Sequence, residues 1–311
     1  MKEKVEVVIS GTAGVFPECK NIPQLEEALF NNVHLVTDDD RKWKQGYSFP
    51  THCGKAFSHD HFDAIFFKVP FNLPYTMDAI AKQSLETSVE AIIDAGVNPK
   101  SLAGSRTAVY SMYDFSEMEL SIAYTQMVKV LLGSARTFTA NRLSFALDLH
   151  GPSYTSQGGA GAIFHLIEIA RSQLEERTID AAIVVSGNFL LTARSLAILD
   201  GMGLAAKDGK CRPFDKKANG YALSESCVAF FLQRESDARR NWATVVGADH
   251  KFFGQKQGSI LAFDGRPAKE MLRQLYSRCQ VDPASVCYIE ADGSGVKVSM
   301  LHLTCALVKK H

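Results

Sequence analysis

The chain has 311 residues and a mass of 34.2 kDa, room for two ordinary domains or one large α/β unit. Its 46% hydrophobic and 22% charged residues exclude a disordered chain. Equal counts of 34 basic and 34 acidic residues argue against a broad nucleic-acid or anionic-membrane surface, and no apolar run approaches the roughly 18–20 residues that cross a bilayer.

In chain order, the β-branched run Val5–Ser10 predicts a buried strand, and Pro23–Asn31 a helix with Leu25, Ala28 and Leu29 at helical spacing. Thr37–Pro50 reads as a charged, turn-rich surface excursion, and Ala79–Ala95 as a helix closed by Gly96 and Pro99. Strands are predicted at Thr107–Ser111, Ala181–Ser186 and Cys227–Gln233, with a long helix at Phe164–Arg177 between the first two. The pattern then repeats more weakly: a strand at Ala243–Ala248, a helix at Pro267–Arg278, a strand at Val286–Glu290 and a helical run at Val298–Val308. Alternation of this kind points to a layered α/β architecture. The start of the chain, charged and then strand-like, has no signal-peptide pattern. The seven cysteines are odd in number and lack a C-x-x-C pair, which reads as a reduced, cytoplasmic protein without structural zinc.

Five strings resemble the β-ketoacyl synthase (condensing enzyme) domain of animal-type fatty acid synthases and polyketide synthases. They are Val8-Ile-Ser-Gly-Thr-Ala-Gly-Val-Phe-Pro17, Thr37-Asp-Asp-Asp-Arg-Lys-Trp43, His61-Phe-Asp-Ala-Ile-Phe-Phe67, Ala140-Asn-Arg-Leu-Ser-Phe-Ala-Leu-Asp-Leu-His-Gly-Pro-Ser153 and Cys211-Arg-Pro-Phe-Asp-Lys-Lys-Ala-Asn-Gly-Tyr221. The resemblance runs from about Val5 to about Val308. It implies a thiolase-like layered αβαβα fold, complete in a first half (residues 1–242) and truncated in a second (243–311). A truncated half would leave apolar surface bare unless it rearranges or another chain covers it.

The catalytic positions depart from the family. Its nucleophile is a cysteine at a buried helix N-terminus, where backbone N–H groups lower the thiol pKa and form the oxyanion hole. The matching string is Gln157-Gly-Gly-Ala-Gly-Ala162, so Ala160 stands at that position and no thioester can form. The first family histidine lies in E-A-H-G-T-G-T; here Glu290-Ala-Asp-Gly-Ser-Gly-Val296 puts Asp292 there, and an ionised carboxylate has no proton to donate to an enolate. The second histidine, in a later G-H string, is expected past residue 311. Relatives that lose only the cysteine keep both histidines, which disfavours a decarboxylase.

The resemblance makes Ala160 and Asp292 vestigial catalytic positions. Gly158, Gly159, Gly161, His165, Phe252, Phe253 and Ser294 are pocket candidates, with Phe252 and Phe253 replacing a polar pair of the family. His165 reads either as a core histidine satisfied by a carbonyl or as a ligand contact. Cys53, Cys211 and Cys227 are nucleophile candidates by composition only, a buried inert thiol being the plainer reading. His59, Asp60 and His61 read as surface rather than metal ligands, and no metal or cofactor is expected. Gly201-Met-Gly-Leu-Ala-Ala206 spells G-x-G-x-x-A but follows a helix-like run, so its dinucleotide-binding context fails.

Three functional readings remain open. One is an inactive homologue that binds an acyl chain, an acyl carrier protein or a full-length synthase subunit. Another is an active 3-oxoacyl-[acyl-carrier-protein] synthase region in fatty acid biosynthesis, and the third is a degenerate fragment. The resemblance also implies a homodimer formed around Gly151–Ser156, with no nucleic acid and no membrane span.

Overall fold

A computed structural model describes residues 5–44, 46–57, 61–113, 118, 132–159, 161–252, 254, 265–296 and, as backbone, 304–309. Strand β1 (Val7–Val15) leads to helix α1 (Ile22–Phe30), which is capped by Asn21 accepting from the Gln24 N–H at 3.0 Å and has Pro23 in its first turn. The short strands β2 (Val36–Thr37) and β3 (Cys53–Gly54) pair with each other. Helix α2 (Ala79–Asp94), capped by Asp78, crosses β1 at Gly11, where a Cβ would lie 2.0 Å from the Ala91 carbonyl oxygen. A side chain there would force the helix off the sheet.

The remaining elements are β4 (Ala108–Met112), α3 (Phe138–Leu147), β5 (Ser153–Ser156), α4 (Ala162–Glu175), β6 (Ala182–Asn188) and α5 (Arg194–Gly201). They are followed by β7 (Ser226–Arg234), β8 (Ala243–His250), α6 (Gly265–Cys279) and β9 (Thr304–Lys309). Seven strands form one sheet in the order β5-β4-β6-β7-β1-β8-β9, parallel at β5-β4-β6 and antiparallel beyond.

The period-2 alternation of the strands divides the core. Val109, Ile183, Val185, Ala229 and Phe231 pack under α2 and α3; Ala108, Tyr110, Ala182, Val184 and Leu232 face α4. Helix α4 also packs against β8, whose Val245 joins the same core. The ladder between β8 and β9 slips at Val246. After that bulge Gly247 faces Leu275 and Cys279, while Asp249 lies 3.7 Å from Arg278, so α6 holds the far face of β8. Helices α2 and α3 therefore cover one face of the sheet and α4 the other, with α6 against β8 where β8–β9 continue the sheet past β1.

Most predicted elements are present with boundaries within a few residues, and β1 runs on to Val15. Helix α3 and strand β5 carry weaker patterns and were not predicted. Two C-terminal expectations are corrected. Val286–Glu290 is not a strand: β1 and β9 occupy the two edges of β8, and Tyr288 and Ile289 stand exposed. Thr304–Lys309, which overlaps the end of the predicted helical run Val298–Val308, pairs antiparallel with β8. Its apolar residues fit either period, and an open sheet edge decides between them. Residues 297–303 lie outside the described ones.

The Thr37–Pro50 segment is also more than a surface excursion. Trp43 is buried with Cys53, Leu190, Ala193 and Leu196. Lys42 pairs with Glu225, which is fully buried and also accepts from the Leu190 N–H at 2.7 Å and the Ala56 N–H at 2.8 Å. One carboxylate thus ties three segments distant in sequence. Glu225→Ala leaves two N–H donors unpartnered and the Lys42 ammonium with only the Leu190 carbonyl at 3.4 Å, an expected loss of about 3–5 kcal/mol read as a lower urea midpoint at unchanged m-value.

Candidate functional site

Strand β5 ends at Ser156, and the chain enters α4 through Gly158, Gly159 and Gly161. Gly159 has φ +73°, a left-handed conformation, with open space where a Cβ would stand, while a Cβ on Gly158 would meet the Ala162 Cβ at 2.9 Å. Gly161 is the residue before the first helical turn and offers no capping side chain. Gly158 is exposed and Gly161 buried. Ala160 and Phe253, both expected at the site, lie outside the described residues, as do His59 and Asp60.

His165 is not a core histidine. Ala162, Leu166, Ile167, Ala170 and Leu174 form the buried stripe of α4, and His165 falls on its exposed flank. Its ring lies 6.3 Å from that of His250 on β8. Phe252, just beyond β8, is 60% exposed, and His61 is on the surface.

Asp292 and Ser294 stand in an extended segment seated on the Cys211–Tyr221 loop. The Cys211 thiol donates to the Gly293 carbonyl at 2.9 Å, and the Gly220 N–H donates to the Gly295 carbonyl at 3.0 Å. A Cβ on Gly293 would meet Pro213 at 2.7 Å, and Gly295 has φ +66°. Partial burial pushes the Asp292 carboxyl above its ordinary value. Burial also raises the Cys211 thiol and the Tyr221 phenol, and Asp292 raises both further. A carboxylate beside a thiol opposes the thiolate, so this arrangement fastens a loop and does not activate a nucleophile. The 292–295 segment makes its contacts with the 211–221 loop through Gly293 and Gly295, while those of the glycine turn are with α4 and Ser156.

The other cysteine candidates are inert by burial. Desolvation pushes the Cys53 thiol up to about 11 and the Cys227 thiol up to about 12. Cys19, Cys53, Cys211, Cys227, Cys279 and Cys287 are all free thiols. Among the described residues, no group of three or more His, Cys, Asp or Glu gathers as a metal site, and no helix is long and apolar enough to cross a membrane. Gly201–Ala206 follows helix α5 rather than a strand, as its sequence context predicts.

A feature that sequence reasoning missed is a cleft of about 1000 Å³ where Arg41, Lys42, Lys55 and Lys82 meet Phe62, Phe71, Tyr75 and Leu190. Arg41 is held by Glu18 and Asp39, Lys55 by Asp39 and Thr37, and Lys42 by Glu225, which leaves Lys82 as the cation not engaged by those carboxylates. The charged Thr37–Trp43 string was visible in the sequence, but nothing local shows that it converges with residues near 75 and 190.

A layered α/β/α/β/α chain with a glycine turn leading into its central helix is the frame of a condensing enzyme. The chain matches the Beta-ketoacyl synthase N-terminal domain over residues 4–238 and the Beta-ketoacyl synthase C-terminal domain over residues 242–299. It belongs to the β-ketoacyl synthase family and has the thiolase-like fold. It is 34% identical over 299 residues to a fatty acid synthase of Anser anser anser, covering 94% of this chain and 84% of that sequence. It is 30% identical to 5-methyl-1-naphthoate synthase of Streptomyces sahachiroi, over 76% of this chain and 14% of that one.

Among solved structures, the ketosynthase from module 6 of the bacillaene synthase of Bacillus subtilis 168 aligns with TM-score 0.84 at 25% identity over 94% of this chain. The oxazolomycin ketosynthase domain of Streptomyces albus JA3453 aligns with TM-score 0.85 at 22% identity. The chain spans 52% and 54% of those two structures, about half of each.

Two tests follow from this geometry. Asp292 titrates near its ordinary value, about 3.9, in the unfolded chain and higher in the folded one. Across that interval the folded state holds more protons, so this group's contribution makes stability fall as pH rises. Asp292→Asn removes that contribution. The stability difference between variant and wild type should therefore shift toward the variant as pH rises from about 4, then level off, in urea titrations at stepped pH. Iodoacetamide at pH 8 followed by peptide mass mapping should label the exposed Cys211 and Cys287 in the native protein, and Cys53 and Cys227 only after unfolding.

Proposed function

We propose that this chain is a non-condensing β-ketoacyl synthase homologue that binds an acyl-bearing ligand, free or presented by an acyl carrier protein. The observation that carries the reading is Asp292. Where the family resemblance implies a hydrogen-bond-donating histidine, the chain has a carboxyl group embedded against Cys211 and Tyr221. Ala160 at the nucleophile position supports the same conclusion from the sequence. Neither side chain can accept an acyl group as a thioester or stabilise an enolate by donating from a neutral ring.

Two features favour retained binding. The aromatic and cationic cleft beside Lys82 suits an apolar chain that ends in an anionic group. Strand β5 is an edge of the sheet with Tyr154 partly exposed, consistent with the homodimer expected around Gly151–Ser156. The free thiols fit a reducing compartment, the cytoplasm.

The test is intact-mass spectrometry after incubation with acyl-CoA thioesters of several chain lengths, with light scattering on the same samples. The expected result is no covalent acyl adduct, a cooperative thermal transition raised by acyl-CoA, and a monodisperse dimer. An acyl adduct on any side chain overturns the non-condensing reading. A folded protein whose melting is indifferent to every acyl-CoA and to acyl carrier protein overturns the binding reading.

A further inference from the structure

A second cleft lies along the end of β1, bounded by α1, the exposed edge of α2 and the turn that carries Arg240 and Trp242. Its volume is about 720 Å³, within the roughly 300–1,000 Å³ typical of small-molecule sites. The apolar walls are Ala13, Ile22, Leu25, Leu29, Phe30 and the Trp242 indole. Leu29 is 63% and Phe30 80% exposed, unusual for large side chains on a helix that has an apolar stripe to bury.

One wall is built rigidly. The two carboxylate oxygens of Asp94 take three donors between them: the Thr12 N–H at 3.0 Å and the Trp242 indole N–H at 2.7 Å on one, and Arg240 Nη1 at 2.6 Å on the other, with Arg240 Nη1 also reaching the Asp94 backbone carbonyl at 3.4 Å. The Arg240 guanidinium lies 4.3 Å from the Trp242 ring centroid. Asp94 therefore fixes the indole that forms the wall and neutralises the cleft's only guanidinium.

The charge left over is negative. Glu26 and Glu90 line the cleft, and among the described residues Glu90 has no hydrogen-bond or ion-pair partner. Partial desolvation by the apolar walls holds its carboxyl above the ordinary value, and a cation beside it would favour the ionised form.

We propose that this cleft is a binding site for an organic cation with an apolar body, the body lying between Phe30 and Trp242 and the cationic head at Glu90. The site is separate from the vestigial catalytic positions and from the cleft at Lys82, and does not rest on the proposed function. An anionic ligand is disfavoured because the single Arg240 is already engaged by Asp94. A neutral one would use the walls and leave Glu90 bare.

The chain has two tryptophans, and Trp43 is only 8% exposed, so Trp242 reports occupancy by its own fluorescence. The probes are 4-phenylbutylamine, 4-phenylbutanol and 4-phenylbutyrate at pH 7, which share a body and differ in charge. The amine should give a saturable blue shift and bind about fivefold more tightly than the alcohol, the advantage of one solvent-accessible ion pair. The butyrate should be the weakest of the three. Glu90→Gln should erase the difference between amine and alcohol, Phe30→Ser should weaken both, and rising salt should weaken the amine alone. Trp242→Phe should abolish the signal while calorimetry still detects the amine.

Glu90 and Phe30 are exposed, so neither substitution endangers the fold. No saturable shift with any probe, an amine no tighter than the alcohol, or a preference that survives Glu90→Gln would overturn the proposal.

Discussion

Helix α4 buries its apolar stripe against strands from both halves of the chain. Leu166 and Leu174 are fully buried, Ile167 nearly so, and each is worth about 1.5–3 kcal/mol when withdrawn from water. That stabilisation draws on β4, β6 and also β8, so β8 is part of the first half's core rather than an appendage to it. The same requirement fixes polar contacts. Glu168 accepts from the Ala248 N–H at 2.9 Å and from Arg171, and Arg278 of α6 donates to the Ala248 carbonyl at 2.8 Å. Charged groups on α4 therefore appear where β8 and α6 can partner them.

The second organising contact is Glu225. A buried carboxylate that accepts from two backbone N–H groups and an ammonium draws the 42–56 segment, the end of β6 and the start of β7 together. Burying such a group is costly without full satisfaction, so it specifies position more than it adds stability. It also sets one wall of the Lys82 cleft, since Lys42, Ala56 and Leu190 all line it.

Under the proposed function, the family frame and the family chemistry separate in this chain. The frame depends on apolar alternation, small residues at close approaches such as Gly11 and Gly151, and two or three buried polar ties, all of which persist. The chemistry depended on a few side chains whose replacement leaves packing intact: an alanine has no thiol, and Asp292 has settled against a loop where its charge suppresses the neighbouring Cys211 thiolate.

The sequence by itself determined the family, the alternation of strands and helices through β8, the absence of a thiol at position 160 and the carboxylate at 292, because these are properties of residue identity and local period. Its plainer reading of Cys211 as a buried thiol does not hold, because that thiol is exposed, although it donates to the Gly293 carbonyl. Only the tertiary structure decided that Thr304–Lys309 is a strand and Val286–Glu290 is not, since a short apolar run takes the conformation of whichever edge is free to pair with it. It alone placed His165 on an exposed flank, because the rotational phase of α4 is set by where β4, β6 and β8 press on it. It alone assembled the two clefts, whose walls come from segments separated by more than a hundred residues and carry no local signal of meeting.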